Sequence, residues 1–288
     1  MYNTDFDPRP LVNDNYQDKK ERIYGNNRVY DYSGMMGDHG THVAGVIAAN
    51  RDNNIGARGV ADNVKIIPLR TVPNGDERDK DVANAIYYAV DNGAKVINMS
   101  FGKPYSPDRA IVEKAIRYAE KKGVLIVHAA GNNKEDKDVI DNFPTKKFIK
   151  GKKQAWNVIE AGASTRYWNE KLTAKFTNYG ETSVDLFAPG VYVFSTLPGN
   201  NYKKSSGTSM AAPVVTGVAA LLFSYFPELS AREVKEVLLE SVMKYDGEVY
   251  LPGSKELVDF PSLSITGGLV NAYEAVKIAQ NKIKLEPR

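Results

Sequence analysis

Two of the chain's three histidines, His39 and His42, stand three positions apart in GDHGTHVAGVIAAN (37–50), where small and apolar residues begin a helix. Far downstream, SGTSMAAPVVTG (206–217) sets Ser209 at the head of a second apolar helix, and HAAGNN (128–133) lies between them. An imidazole, a carboxamide and a hydroxyl are the parts needed for nucleophilic acyl transfer. A serine is a weak nucleophile at neutral pH unless a base stands within hydrogen-bond reach. A helix start offers free N–H groups and a positive dipole end to a developing oxyanion, and a fixed amide such as that of Asn132 adds a further donor. Each residue also has a plainer reading: Ser209 as an N-cap, Asn132 as a turn residue, the two histidines as a metal pair. No H-E-x-x-H pattern and no third ligand motif accompany them, so a metal is not expected. His42 and His128 read as packed, structural histidines.

The elements that must position these groups follow a βα rhythm. VKIIPLR (64–70), AKVINMS (94–100) and VLIVHAA (124–130) read as strands, with helices over 81–91 and 107–122 stopped by Gly93 and Gly123. Further strands are expected at 157–163, 184–190 and 191–196, and helices over 209–225, 230–243 and 268–281. Strands apolar throughout, alternating with helices of this length, point to an α/β three-layer sandwich whose mostly parallel sheet is covered on both faces. Residues 1–37 carry no periodic apolar pattern beyond RVYDY and read as an irregular N-terminal segment; residues 38–288 read as one domain.

Three motifs in this order, HGTHVAG, HAAGNN and SGTSMAAPVVTG, resemble those of the subtilisin-like serine proteases, and the likeness runs to GGLVNAYEAV (267–276). It implies a serine endopeptidase acting on protein or peptide substrates through an acyl-enzyme on Ser209, with His39 as general base and Asn132 as oxyanion donor. Ser100, Phe101 and Gly102, together with Ser206 and Gly207, would flank the substrate as extended chain. Ala130 and Gly131 would form a pocket wall with room for a sizeable apolar side chain. The resemblance also implies a bacterial, secreted protein with no obligatory cofactor. It admits calcium near NRDNNIG (50–56), with Asn53 as a ligand, and a cis bond at Phe143-Pro144. A peptide-binding pseudoprotease and an esterase on the same site are the alternatives.

One part is missing. The family orients its histidine with an aspartate that ends a core strand before it, in the chain order Asp, His, Ser. Asp5, Asp7, Asp14, Asp18 and Asp31 precede His39 without that pattern, and Asp38 is its immediate neighbour. The expectation is that the aspartate strand lies upstream of this sequence or comes from a separate N-terminal segment, residues 1–37 being the tail of an insertion between aspartate and histidine; its absence would leave a gap beside strand 124–130. A chain that natively lacks the aspartate, and another aspartate in its role, are the alternatives.

Composition bounds the rest. With 288 residues, 42% hydrophobic and 25% charged, the chain can bury a large core. A net charge of +3 gives no argument for nucleic acid. The longest apolar stretch, 214–226, is interrupted by Thr216, Gly217 and Ser224, so no membrane span is expected. The absence of cysteine excludes disulfides and thiol chemistry. The first ten residues have neither the basic nor the apolar region of a signal peptide.

Overall fold

The computed structural model describes residues 9–30, 37–72, 77–150 and 153–285. Its centre is a six-stranded sheet in the order β1 (Val96–Met99), β2 (Leu125–Ala129), β3 (Val158–Ser164), β4 (Leu186–Pro189), β10 (Gly268–Leu269) and β7 (Met243–Lys244). All neighbours run parallel except the β10–β7 pair. Every residue of β2 and β3 is buried, which explains why their sequences do not alternate. On one face Leu125, Val127, Ile159 and Ala161 pack beneath α4 (Thr208–Tyr225), backed by α5 (Ala231–Glu240) and α6 (Ala272–Leu285). On the other, Met99, Ile126 and Val158 meet α2 (Asp79–Asp91) and α3 (Arg109–Lys121). The three-layer sandwich expected from the βα rhythm is therefore the fold.

The expected helices are all present, but α5 ends at Glu240 rather than 243, and α6 runs over Ala272–Leu285 rather than 268–281 because Gly268–Leu269 are drawn into the sheet as β10. α3 stops because Gly123 adopts φ +68°, and the next amide, Val124 N–H, turns back to the Ala119 carbonyl (2.9 Å). α5 begins with a capping box between Ser230 and Glu233. The Phe143-Pro144 bond is cis. Two short hairpins stand outside the sheet. β5 (Val193–Leu197) with β6 (Asn201–Ser205) absorbs the strand expected at 191–196, and β8 (Glu248–Tyr250) pairs with β9 (Leu257–Asp259).

Two expectations fail for one reason. Residues 64–70 form no strand, and Ile66 and Ile67 stay 43% and 41% exposed. Nor is there a gap beside 124–130, for β2 pairs with β1 and β3 along its length. Among the described residues the sheet's edges are β7, which pairs only with β10, and β1, which pairs only with β2. A β-prone run becomes a strand only when a neighbour satisfies its N–H and C=O groups, and none of the described strands pairs with 64–70.

Residues 9–30 follow a 3₁₀ turn (Arg9–Val12) with irregular chain held to α2. Buried Lys80 reaches the Asp14 carboxylate (2.5 Å), the Glu21 carboxylate (2.7 Å) and the Asn15 carbonyl (2.7 Å).

Candidate active site

Ser209 is the second residue of α4, and its surroundings follow from a proline. Pro213 has no N–H to give the carbonyl four residues back, which is that of Ser209. The Ser100 hydroxyl, at the end of β1, donates to that carbonyl instead (2.9 Å), while the Ser209 hydroxyl donates to the Ser100 carbonyl (3.1 Å). Asn98 supports the arrangement, giving its amide to Ser100 Oγ (2.9 Å) and taking the Thr216 hydroxyl from α4 (2.9 Å). The head of α4 is thereby bolted to the C-terminal end of β1. The chain enters it through Gly207 at φ +156° and ψ +161°, a conformation open in practice to glycine alone.

Asn132 follows β2 and faces the same helix start. Its Oδ1 accepts from Thr208 N–H (2.9 Å) and from the Thr208 hydroxyl (3.1 Å). An amide whose oxygen is so occupied must turn its NH₂ the other way. A Cβ built on Gly207 would lie 3.6 Å from Ser209 N and 3.7 Å from both amide atoms of Asn132, so both donors border one small space. Met210 N–H returns to the Gly207 carbonyl (3.0 Å) and Thr208 N–H goes to Asn132. Between them the Ser209 N–H takes no acceptor among the described residues. Two donors, one backbone and one side chain, are left for an incoming oxygen.

His39 lies in the first turn of α1 (Asp38–Ala48). Val43 and Ile47, four and eight residues on, share its stripe and pack on Met210, the residue after Ser209. The helix is thus aligned with its first turn towards the head of α4. The His39 side chain is exposed, and no hydrogen bond joins it to Ser209 among the described residues. Its pKa is lowered, chiefly by desolvation against the surrounding protein and then by the charge of His42. His42 is buried, with Nε2 against the carbonyls of Val193 (3.1 Å) and Lys203 (3.0 Å), which ties α1 to the β5–β6 hairpin.

The residues expected to flank a substrate divide. Ser100 and Phe101 continue from β1, and the Phe101 carbonyl is held by His128 Nε2 (2.8 Å). Gly102 lies where a Cβ would strike the Asn142 amide at 2.6 Å. On the other side Ser206 Oγ accepts from Tyr192 N–H (2.9 Å), and the preceding Lys204 and Ser205 are already paired with β5. Ala130 is fully buried, its side chain packed with Leu172, Val184 and Phe187. What it turns to the site is a carbonyl, held by Asn178 (3.0 Å) and Asn142 (3.2 Å). Gly131 must lack a side chain, since a Cβ would meet Asn178 Nδ2 at 2.4 Å. Asn53 Oδ1 accepts from Ile55 N–H (3.1 Å) in a local turn.

Thr208, Asn178 and Asn142 were not singled out in the sequence. Asn178 also accepts from the N–H groups of Asn133 (2.9 Å) and Glu135 (3.0 Å), so it shapes the whole turn that carries Asn132. Thr208 sits inside a quoted motif, but FTNYG (176–180) and DNFPT (141–145) offer no chemistry until the fold brings them alongside. Of the acidic residues before His39, Asp14 is committed to Lys80 and Asp18 to a turn with Lys20 N–H (2.9 Å); Asp5, Asp7 and Asp31 lie outside the described residues.

Comparison with known proteins gives the family. The subtilase family profile matches residues 3–263. The thermophilic serine proteinase of Bacillus sp. (strain AK1) is 44% identical over 196 residues, 67% of this chain and 45% of that protein, so the chain spans less than half the length of this relative. The major intracellular serine protease of Bacillus subtilis (strain 168) is 34% identical over 268 residues, 85% of this chain and 79% of that one. Among solved structures, the prenylagaramide maturation protease PagA superposes with a TM-score of 0.67 at 27% identity, covering 84% of this chain and 83% of the other. With its motifs in order, its sandwich fold and a family match across most of its length, this chain belongs to the subtilase family.

Proposed function

We propose that the chain is the catalytic domain of a serine endopeptidase. The observation that carries this is the juxtaposition, at the head of α4, of the Ser209 hydroxyl with its own free N–H and the turned-out amide of Asn132. In this reading Ser209 Oγ attacks the scissile carbonyl while His39 takes its proton. The carbonyl oxygen, now negative, accepts from Ser209 N–H and Asn132 Nδ2. His39 then gives the proton to the departing amine, leaving an acyl-enzyme, and the same histidine activates the water that hydrolyses it.

The carboxylate that would orient His39 comes, we propose, from a strand added at the open edge of β1 by a segment outside this sequence. The edge of β1 and the largely exposed, apolar run 64–70 support this, since a strand laid against them would supply partners that neither has among the described residues. Loss of the aspartate alone costs about 3 × 10⁴ in kcat in an enzyme of this family, so the carboxylate governs rate rather than the existence of the site. Export from the cell also stands as a proposal, because an intracellular protease is among the relatives; fractionation of the producing cell tests it.

A fluorophosphonate probe tests the central reading in the full-length gene product. The expected result is covalent modification at Ser209, lost in Ser209→Ala and strongly slowed in His39→Ala, together with turnover of peptides. A folded protein that binds peptides without labelling would make it a pseudoprotease, and turnover of esters alone would make it an esterase.

A further inference from the structure

The sheet face beneath α2 and α3 is apolar until its rim, where it carries ions. His128 on β2 and Glu160 on β3 are cross-strand neighbours in register, 0% and 1% exposed, with His128 Nδ1 3.0 Å from Glu160 Oε2. Lys137, from the segment after β2, donates to the same oxygen (2.7 Å). Beyond them Glu160 N–H donates to Asp185 (2.8 Å), whose carboxylate also holds Lys146 (2.8 Å) and Lys235 (3.5 Å). Desolvation would raise the Glu160 carboxyl, but the charges and hydrogen bonds of Lys137 and His128 outweigh it and hold it down, to about 2. The other ring nitrogen of His128 reaches out of this cluster to the Phe101 carbonyl (2.8 Å).

A carboxylate and a carbonyl both only accept, so the two bonds of His128 coexist only when both ring nitrogens carry hydrogen. A buried ion cluster on this scale is a costly way to fill a core unless the geometry it fixes is used. Among the described residues the contact by which it touches the site is Phe101, in the middle of the segment 100–102 that leads from β1 past Ser209. Other anchors of that segment are the Ser100–Ser209 pair and the Asn98–Ser100 bond before Phe101, and the Lys103–Phe143 backbone bridge after it.

We propose that His128 is a positioning residue for peptide binding: clamped on Glu160, its imidazolium draws the Phe101 carbonyl inward and fixes the backbone of 100–102 against which a substrate is laid. This rests on the endopeptidase reading above. His128 touches neither substrate nor the reacting atoms and acts only through Phe101. Its loss therefore weakens binding of an extended peptide and leaves the chemistry at Ser209 in place. One broken charge-assisted bond corresponds to about tenfold in KM.

Three measurements test it in the full-length protein. With three histidines in the chain, ring ¹⁵N spectra resolve each one; His128 is expected to show two protonated nitrogens at neutral pH, the second lost in Glu160→Gln. In His128→Ala, hydrogen exchange across 100–103 is expected to quicken, and KM for a hexapeptide to rise about tenfold with kcat within about twofold. His128→Gln, whose amide can still donate to Phe101, is expected to recover part of both. A neutral His128 ring overturns the proposal, as does unchanged exchange and KM in the variants, or a fall in kcat at constant KM. Should His128→Ala fail to fold, the wild-type spectrum and His128→Gln decide. Absence of fluorophosphonate labelling in the wild type defeats the protease reading separately, since the spectrum and the exchange need no turnover.

Discussion

Pro213 withholds one N–H from α4, and a hydroxyl on another element answers for it. The Ser100–Ser209 exchange that results is the tightest link between the sheet and the candidate nucleophile. Ser100→Ala would leave the partly buried Ser209 carbonyl without a donor and the Asn98 amide without its acceptor. The expected loss is about 1–3 kcal/mol of stability, read from urea unfolding, with slower probe labelling of Ser209; a change under 0.5 kcal/mol would mean that water replaces Ser100. His39 sets the pH response at the same scale. Desolvation first, then His42, lowers its pKa, and a base works only when neutral. Labelling of Ser209 is thus expected to be flat above the ordinary histidine value of about 6.5 and to fall only at more acid pH. A limb centred above pH 7 would show a carboxylate already beside the imidazole.

α1 shows how an element carries a residue into place. The hydroxyls of Ser195 and Thr196 on β5 donate to the carbonyls of His42 (2.8 Å) and Thr41 (2.9 Å), pulling helix and hairpin so close that a Cβ on Gly45 would lie 2.4 Å and 2.1 Å from those oxygens. Gly45→Ala is expected to cost about 1–3 kcal/mol through overpacking and to slow labelling by shifting the helix that bears His39. Gly40, in the first turn of the same helix, has nothing within 4 Å of where its Cβ would stand. Gly40→Ala should leave the melting temperature within a degree or two of wild type, and a loss comparable to that of Gly45→Ala would refute this distinction. The run 64–70 marks the limit of reading elements locally. Its apolar residues suit a strand, but a strand is a property of pairs, and none of the described strands is its partner.

Across the whole molecule, α4 is long and apolar enough to pass for a membrane span, yet two thirds of it is buried between α1 and the sheet. Its hydrophobicity reflects a central position in a sandwich. The ion cluster at the opposite face ties β2, β3, the start of β4 and α5 together and gives the fold a predictable weakness to acid. Because Glu160 has its pKa depressed on folding, from 4.5 to about 2, it stabilises the native state above about pH 4.5, and that contribution is lost as the pH falls towards 2. Thermal unfolding followed from pH 5 to pH 2 should show a steep drop in the melting temperature that is shallower in Glu160→Gln. Equal slopes would remove Glu160 as its source.

The candidate site was legible in the sequence because it rests on residue types in a fixed order: a histidine pair before an apolar helix, an asparagine after a buried strand, a serine at a helix start. The layers were legible too, since buried parallel strands and amphipathic helices each leave a periodic mark. Only the tertiary structure decided which groups satisfy one another. It gave the Asn132 oxygen to Thr208, the Ser209 carbonyl to Ser100, Asn178 to the turn before it, and the Phe101 carbonyl to His128. It also closed the gap expected beside β2 and left β1 at an edge of the sheet. These are matters of partner choice between residues far apart in the chain. Periodicity records how one segment meets the core, not which distant segment it meets there.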